Sequence, residues 1–308
     1  MAYSAQPLDE ITFGGGVAMT ENGLVAGIDE ANRTAWIYRD GGIDFLAFTT
    51  RELIASDVNV SGVVVGHQGD RDAATVWVFD STLRDIQSKL STQFGRARAI
   101  SDNGVVVGAR RTPPAPVLAY RLDLSNDELT PIPMSETVGP EYVSSEAVVV
   151  SADGRLAAGL AWKEFGSEPR GFLYDHSTRK TTDLGTTILP RAMNEVGKLA
   201  GSTWPSGITV TYDIASKTTR THGGSFLAEG MNDAGQVVGS LRGGGDLPSA
   251  CVSRPGQLPV DLNSAVTGIA GWLVSASDII NDGRILVTAI VVDASGARHS
   301  RPYILTPV

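Results

Sequence analysis

The chain has 308 residues, 25 of them Lys or Arg and 34 Asp or Glu, for a formal charge of −9 with 42% hydrophobic residues. The acidic surplus argues against a nucleic-acid partner, which requires a clustered basic surface, and the longest apolar run, residues 285–292, is too short to span a bilayer. The single cysteine, Cys251, cannot form an internal disulfide, and the expectation is a buried thiol in a monomeric cytoplasmic protein.

From the N-terminus, residues 6–13 read as a strand with no neighbour in sequence to pair with. A turn then begins at Thr20 and closes at Gly23, and variants of it return along the chain. The turn glycines are Gly23, Gly62, Gly104, Gly154, Gly197, Gly235 and Gly283, at intervals of 38 to 50 residues. Three positions earlier stand Thr20, Asn59, Ser101, Ser151, Asn194 and Asn232, while the last copy reads as one residue tighter and uses Asn281. A polar side chain at the first position and glycine at the fourth suit a tight turn. An apolar run follows each turn and ends in a second glycine in every copy but the last: Gly27, Gly66, Gly108, Gly159, Gly201 and Gly239.

Each copy supplies four short strands. The first is small and apolar, as around Ala99. The second is apolar on both faces, as in Val63, Val64 and Val65, which suits a strand packed between sheets. The third alternates aromatics, as in Trp36 and Tyr38 or Trp77 and Phe79, and the fourth is short and polar, as around Thr181 and Thr182. Seven copies at this period predict an all-β fold, a seven-bladed β-propeller of four-stranded antiparallel blades. The last copy stops after its third strand near Leu305, so the N-terminal strand is expected to complete it. That closure removes two sheet edges and makes residues 1–308 one domain.

The fourth copy, with Gly171, Phe172, Leu173 and Tyr174 followed by Asp183, Leu184 and Gly185, resembles the HAF repeat, whose unit runs from an Asn-x-x-Gly turn to a His-Ala-Phe strand and a final Asp-Leu-Gly. The resemblance covers the chain and implies a fold. Arg170 and Gly171 replace the family's His-Ala pair, so no functional residue is carried over.

The turns after first and third strands share the lower face of such a disc, and here they are uniformly short. The extra length falls on the upper face, in residues 134–145, 160–170, 241–248 and 263–275. Variable loops on one face of a rigid scaffold are where specificity sits. Tyr142, Trp162, Phe165, Trp204, Trp272, His67, His222 and His299 belong to this face and are candidate ligand contacts; the rival reading is that the aromatics pin their own loops. Six positions before each turn glycine, corrected for the tighter last copy, stand Val17, Ser56, Arg98, Val148, Arg191, Glu229 and Asp278, with Asp57 adjacent. Arg98, Arg191, Glu229, Asp278 and nearby His67 thus form a candidate acid–base group at the mouth of the central channel, and an ion-pair ring fixing the blades is the structural alternative.

No metal site is expected, because the four histidines are scattered and residues 70–72 read as a solvated loop without further ligands. No cofactor is expected either: there is no phosphate loop, dinucleotide fingerprint or Gly-x-Ser-x-Gly elbow. The favoured expectation is a propeller that binds a small organic molecule, with cofactor-independent lyase, isomerase, cyclase or hydrolase chemistry as its catalytic form. In that form Arg98 and Arg191 would polarise an oxygen, and Glu229, Asp278 or His67 would move a proton. A protein- or carbohydrate-binding scaffold using the same face is the alternative.

Overall fold

The computed structural model describes residues 2–8, 11, 14–46, 52–69, 75–134, 138–163, 167–242, 247–269 and 271–308. They form seven sheets, each of four antiparallel strands. The first strands of blades one to seven are Gly14–Met19, Leu53–Val58, Phe94–Ile100, Ser144–Val150, Leu189–Met193, Leu227–Met231 and Trp272–Ile279. Each touches the next, and the seventh touches the first, so the strands enclose a central channel. Apolar clusters fill the spaces between blades: Ala99, Val107 and Ile132 of blade three pack with Ala147, Ala157 and Phe172 of blade four.

The second glycine is explained by close approach. It lies opposite an aromatic of the third strand in four blades, the pairs being Gly27 with Trp36, Gly66 with Trp77, Gly108 with Tyr120 and Gly159 with Phe172. A methyl group on Gly66 would lie 2.1 Å from the Ile54 carbonyl oxygen and 2.5 Å from the Trp77 ring. Cys251 takes the aromatic's place opposite Gly239 and is buried, as its sequence context predicts, and burial pushes its thiol up to about 12.

The turn asparagine both shapes its own turn and ties blades together. Asn194 Oδ1 accepts the Lys198 N–H at 2.7 Å, while its Nδ2 donates to the Asn232 carbonyl of the next blade at 3.1 Å. Asn59 repeats this with Val63 and Ser101, both at 3.0 Å. At Ser101 the two jobs separate: Ser101 Oγ accepts from Val105 at 2.8 Å and Asn103 Nδ2 donates to the Asp153 carbonyl at 2.8 Å.

Blade seven closes from both ends of the chain, with Tyr3–Pro7 paired antiparallel to Arg298–Pro307. Tyr3 stands opposite Pro307, and the Val308 N–H donates to the Ala2 carbonyl at 3.0 Å. The closing strand therefore lies nearer the N-terminus than residues 6–13. Leu8 and Ile11 leave it to pack against Met19, Val25 and Trp36, and their three-residue spacing cannot keep both on one face of a strand.

Candidate functional site

Phe94–Ile100 alternates along its length. Gly95, Ala97 and Ala99 are buried, whereas Phe94, Arg96 and Arg98 are half-buried and share the other face. Ser144–Val150 alternates in the same way and presents Ser144 and Glu146. Between these two strands, on the upper side of the disc, opens a cleft of about 940 Å³. Phe94, Val143, Pro116 and Trp162 give it apolar walls, and Arg96, Arg98, Arg110, Arg111 and Glu146 give it charge.

The charges are held differently. Arg98 Nε donates to Glu146 Oε1 at 2.5 Å, an ion pair that also joins blade three to blade four. Arg110 Nη1 donates to the Leu90 carbonyl at 2.7 Å, and among the described residues no carboxylate lies within salt-bridge distance of it. Burial lowers the Arg110 pKa, and Tyr120 opposes that shift. Arg111 Nε donates to the Ala115 carbonyl at 3.2 Å and so anchors the proline-rich loop that overhangs the cleft.

Of the residues singled out from sequence, Arg98 and Trp162 meet in this cleft. His67 is buried on the second strand of blade two; burial, then the charges of Arg96 and Arg98, bring it down to about 4 and leave its ring neutral at pH 7. Arg191 and Glu229 occupy the equivalent bulged position in blades five and six, where burial raises the Glu229 carboxyl and Arg191 counters it. Asp278 does not belong to that series. Ser277 takes that bulged position in blade seven, because the last turn is not shortened: its first position is Ile280, which accepts the Gly283 N–H at 3.0 Å. Asp278 corresponds instead to Asp57, and the two do the same work. Asp57 accepts the Val58 N–H at 2.8 Å and the Ile100 N–H of the next blade at 2.9 Å; Asp278 accepts from Ile279 at 2.8 Å and from Met19 of blade one at 3.0 Å. Burial raises these carboxyls to about 7 and about 6.

The remaining candidates are scattered. Tyr142 is buried beneath Lys163 Nζ and Arg170 Cζ, 5.2 and 5.7 Å from its ring centre, and pins its loop. Trp204 and Trp272 stand on the upper face at 45% and 41% exposure, and Trp272 Nε1 donates to the Pro248 carbonyl at 2.9 Å. His222 is buried at the rim, its Nδ1 3.0 Å from Ser253 Oγ, and burial lowers it to about 4. His299 lies opposite Val291 in blade seven, with Nδ1 3.9 Å from Asp293 Oδ2. Phe165, residues 70–72 and residues 243–245 lie outside the described residues. Arg96 and Glu146, missed by counting back from the turn glycine, were visible through the two-residue period of their strands; Arg110 was not, because it enters from the second strand.

The lower mouth of the channel carries Glu21, Asp102, Glu195 and Asp233. Three of these carboxylates cap backbone N–H groups of a neighbouring blade: Asp102 accepts from Val60 at 3.2 Å, Asp233 from Glu195 at 3.0 Å and Glu21 from Asn281 at 3.0 Å. Among the described residues no group of three or more His, Cys, Asp or Glu is arranged to hold a metal ion, and no helix is long and apolar enough to cross a membrane.

No family model matches the chain, and no curated protein matches it in sequence. Solved structures do resemble it. TolB from Acinetobacter baumannii superposes with a TM-score of 0.52 at 15% identity, over 78% of this chain and 60% of that one. The acylaminoacyl peptidase of Pyrococcus horikoshii gives 0.59 at 12% identity, over 97% and 52%. The β-propeller domain of the Trilobed protease from Pyrococcus furiosus, described as having an open velcro topology, gives 0.57 at 11%, over 94% and 93%. The chain thus spans little more than half of the first two, and at these identities the likeness is one of fold, a β-propeller, which in this chain has seven blades with the last one closed.

Proposed function

We propose that this propeller binds a small organic molecule in the upper cleft between blades three and four. The observation that carries the reading is the cleft itself: its 940 Å³ falls within the range of about 300–1,000 Å³ typical of ligand pockets, and it combines an apolar wall with a few polar groups. Binding has more support than acid–base turnover. Among the described residues Glu146 is the one carboxylate lining the cleft and is engaged by Arg98, whereas Glu229, Asp278 and His67 lie outside its lining. The HAF-repeat reading rests on the turns and the blade-four strand alone, and peptidase activity is not carried over from neighbours of which this chain spans half.

Val143 is 47% exposed at the cleft wall, so Val143→Trp projects an indole into the cleft and obstructs it without disturbing the core. In a thermal-shift screen against metabolites, at least one chemical class should raise the melting temperature of the native protein and not of Val143→Trp. Stabilisation of both proteins alike, or of neither, counts against the cleft. A second reading, a docking platform for a protein, draws on Trp204, Trp272 and Leu227, which stand exposed on the upper face outside the cleft.

A further inference from the structure

The chain as a whole is acidic, at −9, while among the described residues the cleft wall carries four arginines and one glutamate. The five charged groups do not simply cancel. Glu146 is taken by Arg98, which leaves the Arg110 guanidinium, half-buried and held by the Leu90 carbonyl, without a carboxylate among the described residues. A backbone carbonyl orients a guanidinium but does not neutralise it, and a partly desolvated cation gains most from an oxyanion, which can accept two parallel N–H bonds. Apolar side chains lie beside it: Phe94, Val143, Pro116 and Trp162.

We infer that the cleft takes an organic anion, a molecule with an oxyanion head, carboxylate or phosphate, on an apolar or aromatic body. The head meets Arg110 beside the Arg98–Glu146 pair, and the body lies against Trp162 and Phe94. This assignment rests on the small-molecule reading of the same cleft and narrows it to one chemical class.

Three probes of one shape separate the terms: 1-naphthylacetate, 1-naphthyl phosphate and the neutral 1-naphthylacetamide, titrated by calorimetry into the full chain. At least one anion should bind roughly tenfold or more tightly than the amide, the effect expected of one charge-assisted hydrogen bond, and should weaken with added salt. Which anion prevails distinguishes carboxylate from phosphate. In Arg110→Gln that preference should fall to about threefold or less while amide binding persists, which also reports that the variant is folded; Arg110→Lys should restore part of it. Trp162→Ala should weaken all three probes together. Equal binding of acid, phosphate and amide overturns the anion assignment. So does failure of all three probes when the metabolites that stabilise the protein are neutral or cationic; if those metabolites are anions whose effect Arg110→Gln abolishes, the assignment holds. Silence from probes and metabolite screen alike removes the small-molecule reading with it.

Discussion

Asn194 shows how much one side chain settles. Its carbonyl oxygen holds its own turn and its amide reaches the neighbouring blade, so Asn194→Asp keeps the acceptor and turns the donor into an oxygen facing the Asn232 carbonyl. The expected loss is about 1–3 kcal/mol, measured by urea unfolding at pH 7 and reduced in acid as the new carboxyl protonates. Asp57 and Asp278 carry the same pH signature in the native chain. Their folded pKa values, about 7 and about 6, exceed the ordinary 3.8, so the folded chain holds more protons than the unfolded one between those limits. Their contribution to stability is full below about pH 4 and is lost as pH rises through 6 to 7. The stability difference between native protein and Asp57→Asn should therefore fall from pH 4 to pH 7 and level off near pH 8; a flat difference would show that Asp57 does not titrate there. The turn pattern made Asn194 legible as a turn former. Its second role was hidden, because the carbonyl it reaches lies 38 positions along the chain, in another blade.

At the level of the strand, the glycine that ends each apolar run is set by its surroundings. Gly66→Ala places a methyl group against the Ile54 carbonyl and the Trp77 ring and should cost about 1–3 kcal/mol, whereas an alanine at Gly41, where nothing lies within 4 Å, meets no such clash and is limited by its turn geometry alone. Paired thermal melts of the two variants separate crowding from backbone conformation. Strand existence was legible from the alternation of small, apolar and aromatic residues. Register was less so. Taking Asn281 as the first turn residue moved Asp278 into a series that belongs to Ser277, and only the pairing of Ala276 with Val287 and Asp278 with Leu286 corrects it. The closing strand was displaced for a similar reason, since Leu8 and Ile11 are apolar without being part of the sheet.

For the molecule as a whole, blade number and closure followed from the repeat, because the same turn recurs in all seven blades and the same close approach in six of them. The cleft did not. It is formed by residues that are ordinary within their own blades and become a site only where two blades meet: Arg110 from one second strand, Trp162 from another. Removing the closing strand should expose the long edge of Arg298–Pro307, and a chain lacking residues 1–8 should melt lower and self-associate on light scattering. The same pairing bears on synthesis. Ser4 and Thr306, neighbours in the last sheet, stand 302 residues apart. At translation rates of roughly 5–20 residues per second, Tyr3–Pro7 waits on the order of 15–60 s before the ribosome delivers its partner. For that interval the earlier strand of the pair stands without its neighbour, and it must be shielded until the later one emerges.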